Sequence, residues 1–181
     1  APAAIAREAE QLPTILQTLS DAGKLEVGGL DLQLAPTNVA RLVRDTVSDM
    51  LHVTKARRVT VELDDPVVIN VDPLRIRQVL VNLLSNAARF SPAEAPIEIT
   101  SELSDASFEL RVRDGGLGIP VERREQVFDK FAHFDHTAQG NGLGLYLSRE
   151  IARAHGGDLF LAAGDASGCS LVLRLRRNYN R

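Results

Sequence analysis

Asn82 and Asn86 stand four residues apart, a spacing that sets two side chains on one face of an α-helix. Neutral amide oxygens are modest hard ligands. They suit a Mg²⁺ that draws further oxygens from phosphate and keeps part of its water. Asp114 closes an alternating run and is followed by Gly115, Gly116, Leu117, Gly118, Ile119 and Pro120. A carboxylate there can accept a hydrogen bond from an exocyclic amine, and the glycines let a flat ligand approach the backbone. Gly140-Asn141-Gly142-Leu143-Gly144-Leu145 opens a helical pattern, where unpaired N–H groups and the dipole end favour an anion.

Each signal alone has a plain structural alternative. Two Asn can lie on a solvated helix face, and Asp before Gly can serve only a tight turn. The second glycine stretch follows a loop rather than a strand and lacks the lysine of a P-loop, so it is a poor phosphate fingerprint by itself. Together, and in this order, the three stretches predict a pocket for adenine nucleotide with Mg²⁺.

The elements that must bring them together are legible in part. Asp72-Pro73 is a carboxylate cap followed by proline at the first helical position, and Ser91-Pro92 stops the helix near Phe90. Ile97 to Leu103 and Phe108 to Arg113 alternate as a strand pair that delivers Asp114. Leu143 to His155 reads as a helix ended by Gly156-Gly157, and Asp158–Ala162 with Ser170–Arg176 as another strand pair. Glu122 to Lys130 is expected as a short helix and 131–141 as a loop.

Upstream, Asp31–Leu34 alternates like a short strand, and Thr37 or Asn38 caps a helix carrying Val39, Leu42, Val43, Thr46, Val47 and Met50. Val59–Leu63 and Val67–Val71 read as strands around the Asp64-Asp65-Pro66 turn. Residues 1 to about 22 are helix-like, interrupted at Pro13. Strands in adjacent pairs between helices favour an α+β class: a two-layer α/β sandwich, a mixed sheet with helices on one face.

The 181 residues suffice for one full domain with a small appendage. Net charge is −3 with no basic cluster, and aromatic residues make up 4% with no Trp, so no nucleic-acid partner is expected. The one cysteine, Cys169, has no partner for an internal disulfide and suits a reducing, cytoplasmic setting. No apolar run reaches membrane-spanning length, so no membrane contact is expected of this piece. The chain starts with Ala inside a helical pattern and reads as part of a longer protein, which can itself be membrane-anchored.

At this point the sequence resembles the catalytic, ATP-binding domain of two-component sensor histidine kinases, within the Bergerat-fold ATPase group. Asp72 to Ser91 is similar to that family's asparagine box, and Asp114 to Pro120 to its first glycine box. Val127-Phe128-Asp129-Lys130-Phe131 is similar to its phenylalanine box, Gly140 to Leu145 to its second glycine box, and His155-Gly156-Gly157 is also family-like. The resemblance runs from about residue 30 to 177, and residues 1–28 look like the end of the second dimerisation helix with its linker; 179–181 form a tail.

The resemblance implies ATP and Mg²⁺ as cofactors, with Asn86 on the metal and Asn82 beside it, both serving catalysis near the phosphates. It sets Arg89 and Phe90 near phosphate and base, Asp114 on the adenine amine, and Gly116, Gly118 and Ile119 along the base. Gly140, Gly142, Leu143, Gly144 and Leu145 would carry the lid and its hinge. The implied reaction transfers the γ-phosphoryl group to a histidine in the dimerisation domain of the same kinase, for relay to an aspartate of a response regulator; the full-length protein would be a homodimer.

ATP-hydrolysing cousins carry a glutamate four residues before the metal asparagine; here that position is Asn82, whose amide takes no proton. Three departures stand out: Gly115 where the family has Asn, His133 where it often has Arg, and a short lid over 135–140. They motivate an alternative, a degenerate nucleotide-binding scaffold; another is a serine kinase of the anti-sigma-factor type. Residues 1–36 hold no histidine, and His52, His133, His136 and His155 lack the acceptor context. His155 reads as a helix-end residue complementing the dipole.

Overall fold

The computed structural model describes residues 20, 21, 23, 29–54, 57–64, 66–132, 142–163 and 168–177. The elements run β1 (Ala35–Asn38), α1 (Val39–Asp49), α2 (Leu51–Thr54), β2 (Val59–Glu62), β3 (Val68–Val71), α3 (Pro73–Phe90), β4 (Ile97–Leu103), β5 (Ser107–Asp114), two 3-10 turns (Val121–Arg123 and Gln126–Phe128), α4 (Gly144–Ala154), β6 (Asp158–Leu161) and β7 (Cys169–Arg176). Five strands form one sheet in the order β2-β4-β5-β7-β6. β2 runs parallel to β4 and every other neighbouring pair is antiparallel, so the sheet is mixed.

Side-chain alternation decides which face the helices cover. Ile97, Ile99, Phe108, Leu110, Val112, Leu171, Leu173 and Leu175 are buried in one cluster with Val43, Ile76, Val79, Leu83 and Ile151 from the helices. Their neighbours along the strands, Glu98, Arg111, Arg113, Arg174 and Arg176, are exposed. One apolar face and one solvated face are the pattern of an antiparallel sheet covered on one side. The result is the two-layer α/β sandwich expected from the sequence.

α3 is the helix that matters most for the site. Asp72 caps it, its Oδ1 accepting from the N–H groups of Leu74 and Arg75 at 3.0 and 3.1 Å, with Pro73 next. Ile76, Val79, Leu80, Leu83, Leu84 and Ala87 form its buried side, the i, i+3, i+4, i+7 stripe of an amphipathic helix. Arg75, Gln78, Asn82 and Asn86 form a second, half-buried stripe. At its end Ser91 Oγ donates to Ala87 O at 2.6 Å.

Several expectations need correction. The strands flanking Asp64 do not pair with each other: β2 joins β4, while β3 pairs with β1 in a separate two-stranded sheet. The first strand is Ala35–Asn38 rather than 31–34, and Pro36 is tolerated because β1 is paired on one side only. Glu122–Lys130 forms the two 3-10 turns in place of a helix. Ser20, Asp21 and Gly23 are helical; Pro13, His133, His136, Gly140 and the lid positions 135–140 lie outside the described residues, as does the side chain of His52. Among the described residues no helix is long and apolar enough to cross a membrane.

Candidate functional site

Three walls meet at one end of the sheet. The central strand β5 ends at Asp114, which sits opposite Ile97 of β4 and Cys169 of β7. Asp114 lies on the helix-covered face with Phe108, Leu110 and Val112, and is only 8% exposed. Its Oδ1 accepts from the Gly116 N–H at 2.8 Å, so the carboxylate is locked by its own turn. Burial pushes its pKa up, opposed by the backbone N–H groups of Gly116 and Cys169. A carboxylate short of solvation gains most from one further donor.

The turn after Asp114 is packed tightly enough to require glycine. A Cβ on Gly116 would lie 2.7 Å from the carbonyl oxygen of Phe90, the last residue of α3. Gly118 has φ +75° and its added Cβ would meet the Gly168 carbonyl at 2.8 Å. At Gly115 a Cβ would stand 2.8 Å from that of Ala95. The Gly115 departure therefore does not loosen the turn: Ala95 fills that space and Gly116 still closes onto Asp114.

The second wall is α3. Asn82 donates through Nδ2 to Ser148 Oγ at 2.9 Å. Asn86, one turn on, is half-buried, and its amide has no hydrogen-bond partner among the described residues. Arg89 lies with its guanidinium carbon 4.4 Å from the Phe90 ring centroid, and both residues are exposed at the end of α3.

The third wall is the start of α4. α1 and α3 are capped by the side chains of Asn38 and Asp72, whereas the N-cap residue of α4, Leu143, gives no side-chain cap among the described residues. Its first N–H groups have no intrahelical acceptor. Gly144 opens the helix, and a Cβ there would lie 2.3 Å from Asn82 Oδ1. Gly142 has φ +63°, and its carbonyl accepts from the Phe131 N–H at 3.0 Å, closing the ends of the 131–142 segment together. Leu143 is buried, while Ile119 and Leu145 are half-buried against the core. Of the residues named from the sequence, two pairs are brought into direct apposition, Asn82 with Gly144 and Phe90 with Gly116.

Sequence alone does not single out Ser148, and it gives His155 only as a helix-end residue. Ser148 is buried and holds the Asn82 amide; its signal is its place four residues after Gly144, on the same face of α4. His155 is 1% exposed and is not a dipole partner in solvent. Its Nε2 accepts from the Asp72 N–H at 3.0 Å, which leaves Nδ1 to donate to Ile151 O at 2.8 Å. That pairing requires the neutral ring, and burial lowers its pKa. His155 thus ties the end of α4 to the cap of α3, as Ser148 ties its middle to Asn82.

Among the described residues no group of three His, Cys, Asp or Glu could hold a metal by itself. The half-buried Asn86 amide, without a hydrogen-bond partner among the described residues, fits a Mg²⁺ that arrives with most of its oxygens supplied by phosphate.

The family of histidine kinase-, DNA gyrase B- and HSP90-like ATPases matches residues 71–178, more than half of the chain. The chain belongs to that family. Among relatives, Sensor protein TorS of Escherichia coli is 34% identical over 95% of this chain and 19% of its own length. The circadian input-output histidine kinase CikA of Synechococcus elongatus is 29% identical over 94% of this chain and 24% of its own. The chain thus spans about a fifth to a quarter of these relatives. Among solved structures, the catalytic domain of histidine kinase ThkA has a TM-score of 0.69 at 26% identity, covering 80% of this chain and 98% of that one. A full-length ShkA complex with AMPPNP shares the fold at TM-score 0.84 over 99% of this chain and 39% of that one, at 22% identity. Within the family the chain is a catalytic domain of the sensor histidine kinase kind.

Proposed function

We propose that the domain binds ATP with Mg²⁺ between α3, the Asp114 turn and the start of α4, and donates the γ-phosphoryl group to a histidine outside this chain. Residues 29–178 would form this donor domain and 1–28 the end of a dimerisation helix with its linker. The phosphate would pass onward to an aspartate on a response regulator, in a homodimeric, cytoplasmic kinase module. Asp114 would accept the exocyclic amine of adenine, and Gly116, Gly118 and Ile119 would let the base lie against backbone. Asn86 would hold Mg²⁺, which neutralises charge on the phosphates. Asn82 and the uncapped N–H groups at Gly144 and Leu145 would face the phosphate oxygens, with Arg89 and Phe90 at the mouth and Gly140, Gly142 and Leu143 at the lid and its hinge.

The observation that carries transfer over hydrolysis is Asn82. Its amide donates to Ser148 and has no basic lone pair to take a proton from water, so the site lacks a general base where hydrolysing cousins keep one. Phosphoryl transfer needs chiefly positioning and charge neutralisation, which the three walls can supply. The test combines the chain, MgATP labelled at the γ-phosphate and a separately made dimerisation domain. Acid-labile label on that domain is expected. Nucleotide binding without transfer would favour a scaffold, and acid-stable label a serine kinase.

A further inference from the structure

Asp21 is fully buried although it precedes the sheet. Its carboxylate receives both arms of the Arg75 guanidinium, Nη1 on Oδ2 and Nη2 on Oδ1, the latter at 3.0 Å. Gln78 adds a third bond, Nε2 to Oδ2 at 3.2 Å, and its Oε1 accepts from Arg75 Nη1 at 3.0 Å. A two-pronged arginine–carboxylate pair fixes direction as well as distance. Burying such a pair is poor economy for stability alone, which makes orientation its best-supported use.

The receiving residues are not a random patch of α3. Arg75, Gln78, Asn82 and Asn86 follow one another at i, i+3, i+7 and i+11, a single stripe on the helix. Arg75 lies about 10 Å along the axis from Asn82. A few residues on, Gln33 N–H donates to Asp72 Oδ2 at 2.9 Å. Both sides of the connector from Asp21 to Gln33 are thus pinned to the first two turns of α3.

We infer that Asp21, Arg75 and Gln78 form an orienting latch, which docks the chain at Ser20–Asp21 on the same stripe of α3 that carries Asn82 and Asn86. Arg75 and Gln78 are positioning residues. They fix the point and direction at which the chain at Asp21 joins the domain and thereby the sector into which the nucleotide's terminal phosphate is presented. The latch itself stands without nucleotide; its consequence for transfer rests on the function proposed above.

The test is hydrogen exchange of the full 181-residue chain, read on peptides covering Ser20–Gly23 and, separately, Asn82–Asn86, with MgATP affinity measured in parallel. D21N and R75A are expected to raise exchange at Ser20–Gly23 about tenfold or more. The Asn82–Asn86 peptide and the MgATP affinity should stay within about twofold of the parent. The reversed pair D21R/R75D is expected to restore protection. Unchanged exchange in D21N, or no recovery in the reversed pair, overturns the latch. A fall in nucleotide affinity together with exposure of Asn82–Asn86 also overturns it, since the pair would then only stabilise α3. Absence of MgATP binding by the parent chain would defeat the proposed function and leave the latch result readable.

Discussion

Replacing Gly144 by alanine adds one methyl group, and in an ordinary helix that change stabilises by up to about 1 kcal/mol. Here the new Cβ would fall 2.3 Å from Asn82 Oδ1, 3.0 Å from its Cγ and 3.3 Å from its Nδ2, whereas ordinary contact begins at 3.4 Å. The Asn82 amide must therefore retreat by about 1 Å, since Gly144 sits on helical backbone that cannot give. Retreat breaks its hydrogen bond to Ser148 and leaves that buried hydroxyl unpaired, at about 1–3 kcal/mol in all.

Set against the alanine gain, net destabilisation of G144A should be only about 0–3 kcal/mol, so the domain stays folded. The effect on nucleotide should be larger than on the apo fold, because losing a hydrogen bond to a charged phosphate costs about 1.5–3 kcal/mol, about 10- to 100-fold in affinity. Titration calorimetry with MgATP and thermal melting of the same samples separate the two. The double variant G144A/N82A removes the clash, so the two substitutions should couple by about 1 kcal/mol or more in a stability cycle. Additive stability effects, or a G144A chain that binds MgATP like the parent, would refute this reasoning.

Asp114→Asn keeps an oxygen for the Gly116 N–H but loses the charge, so affinity for adenine nucleotide should fall about 10- to 100-fold with little loss of thermal stability. Discrimination of ATP from GTP should collapse with it, as competition calorimetry would read. Because burial raises the Asp114 pKa, adenine binding should be complete at high pH and weaken as the carboxyl is protonated, at a pH above the ordinary aspartate range. Asn86→Ala removes no hydrogen bond among the described residues, so melting should barely move while MgATP affinity falls at least about tenfold. Equal losses would make Asn86 structural.

His155 is held neutral with its pKa lowered. The unfolded chain therefore takes up a proton first, from about pH 6.5 downward, and stability should be full above that pH and decline below it. The slope for this one proton is at most about 1.4 kcal/mol per pH unit. Urea titrations from pH 7.5 to 5 check this, and the His155→Ala chain should be less stable at pH 7.5 with a flatter profile.

Much of the site could be read from local chemistry. The Asp72-Pro73 cap and the Ser91 stop bound α3 within a residue, because helix ends are written in side chains that bond their own backbone. The glycines after Asp114 were readable as close approach, although their reason, the Phe90 and Gly168 carbonyls, was not. Strand partners were illegible for the opposite reason. Alternation in Val59–Glu62 and Val68–Val71 reports which residues face inward, while the choice of β4 and β1 as neighbours depends on segments far along the chain. Gln126–Phe128 tightened into a 3-10 turn as Val127 and Phe128 were drawn into the core and Phe131 took φ +62°. Ser148 and His155 acquire their roles only because α4 packs along α3, a contact that no single stretch of sequence encodes.

The proposed function rests on one pocket in which an acidic side chain reads adenine while asparagines on α3 and the start of α4 face the phosphates. NMR titration of the labelled chain with MgATP tests it most directly, by following backbone amides and the side-chain amides of Asn82 and Asn86. Saturable shifts are expected across Asn82–Phe90, Asp114–Ile119 and Gly140–Leu145, absent with MgGTP at the same concentration. Shifts that bypass Asp114 and Asn86, or that are equal for the two nucleotides, would contradict it.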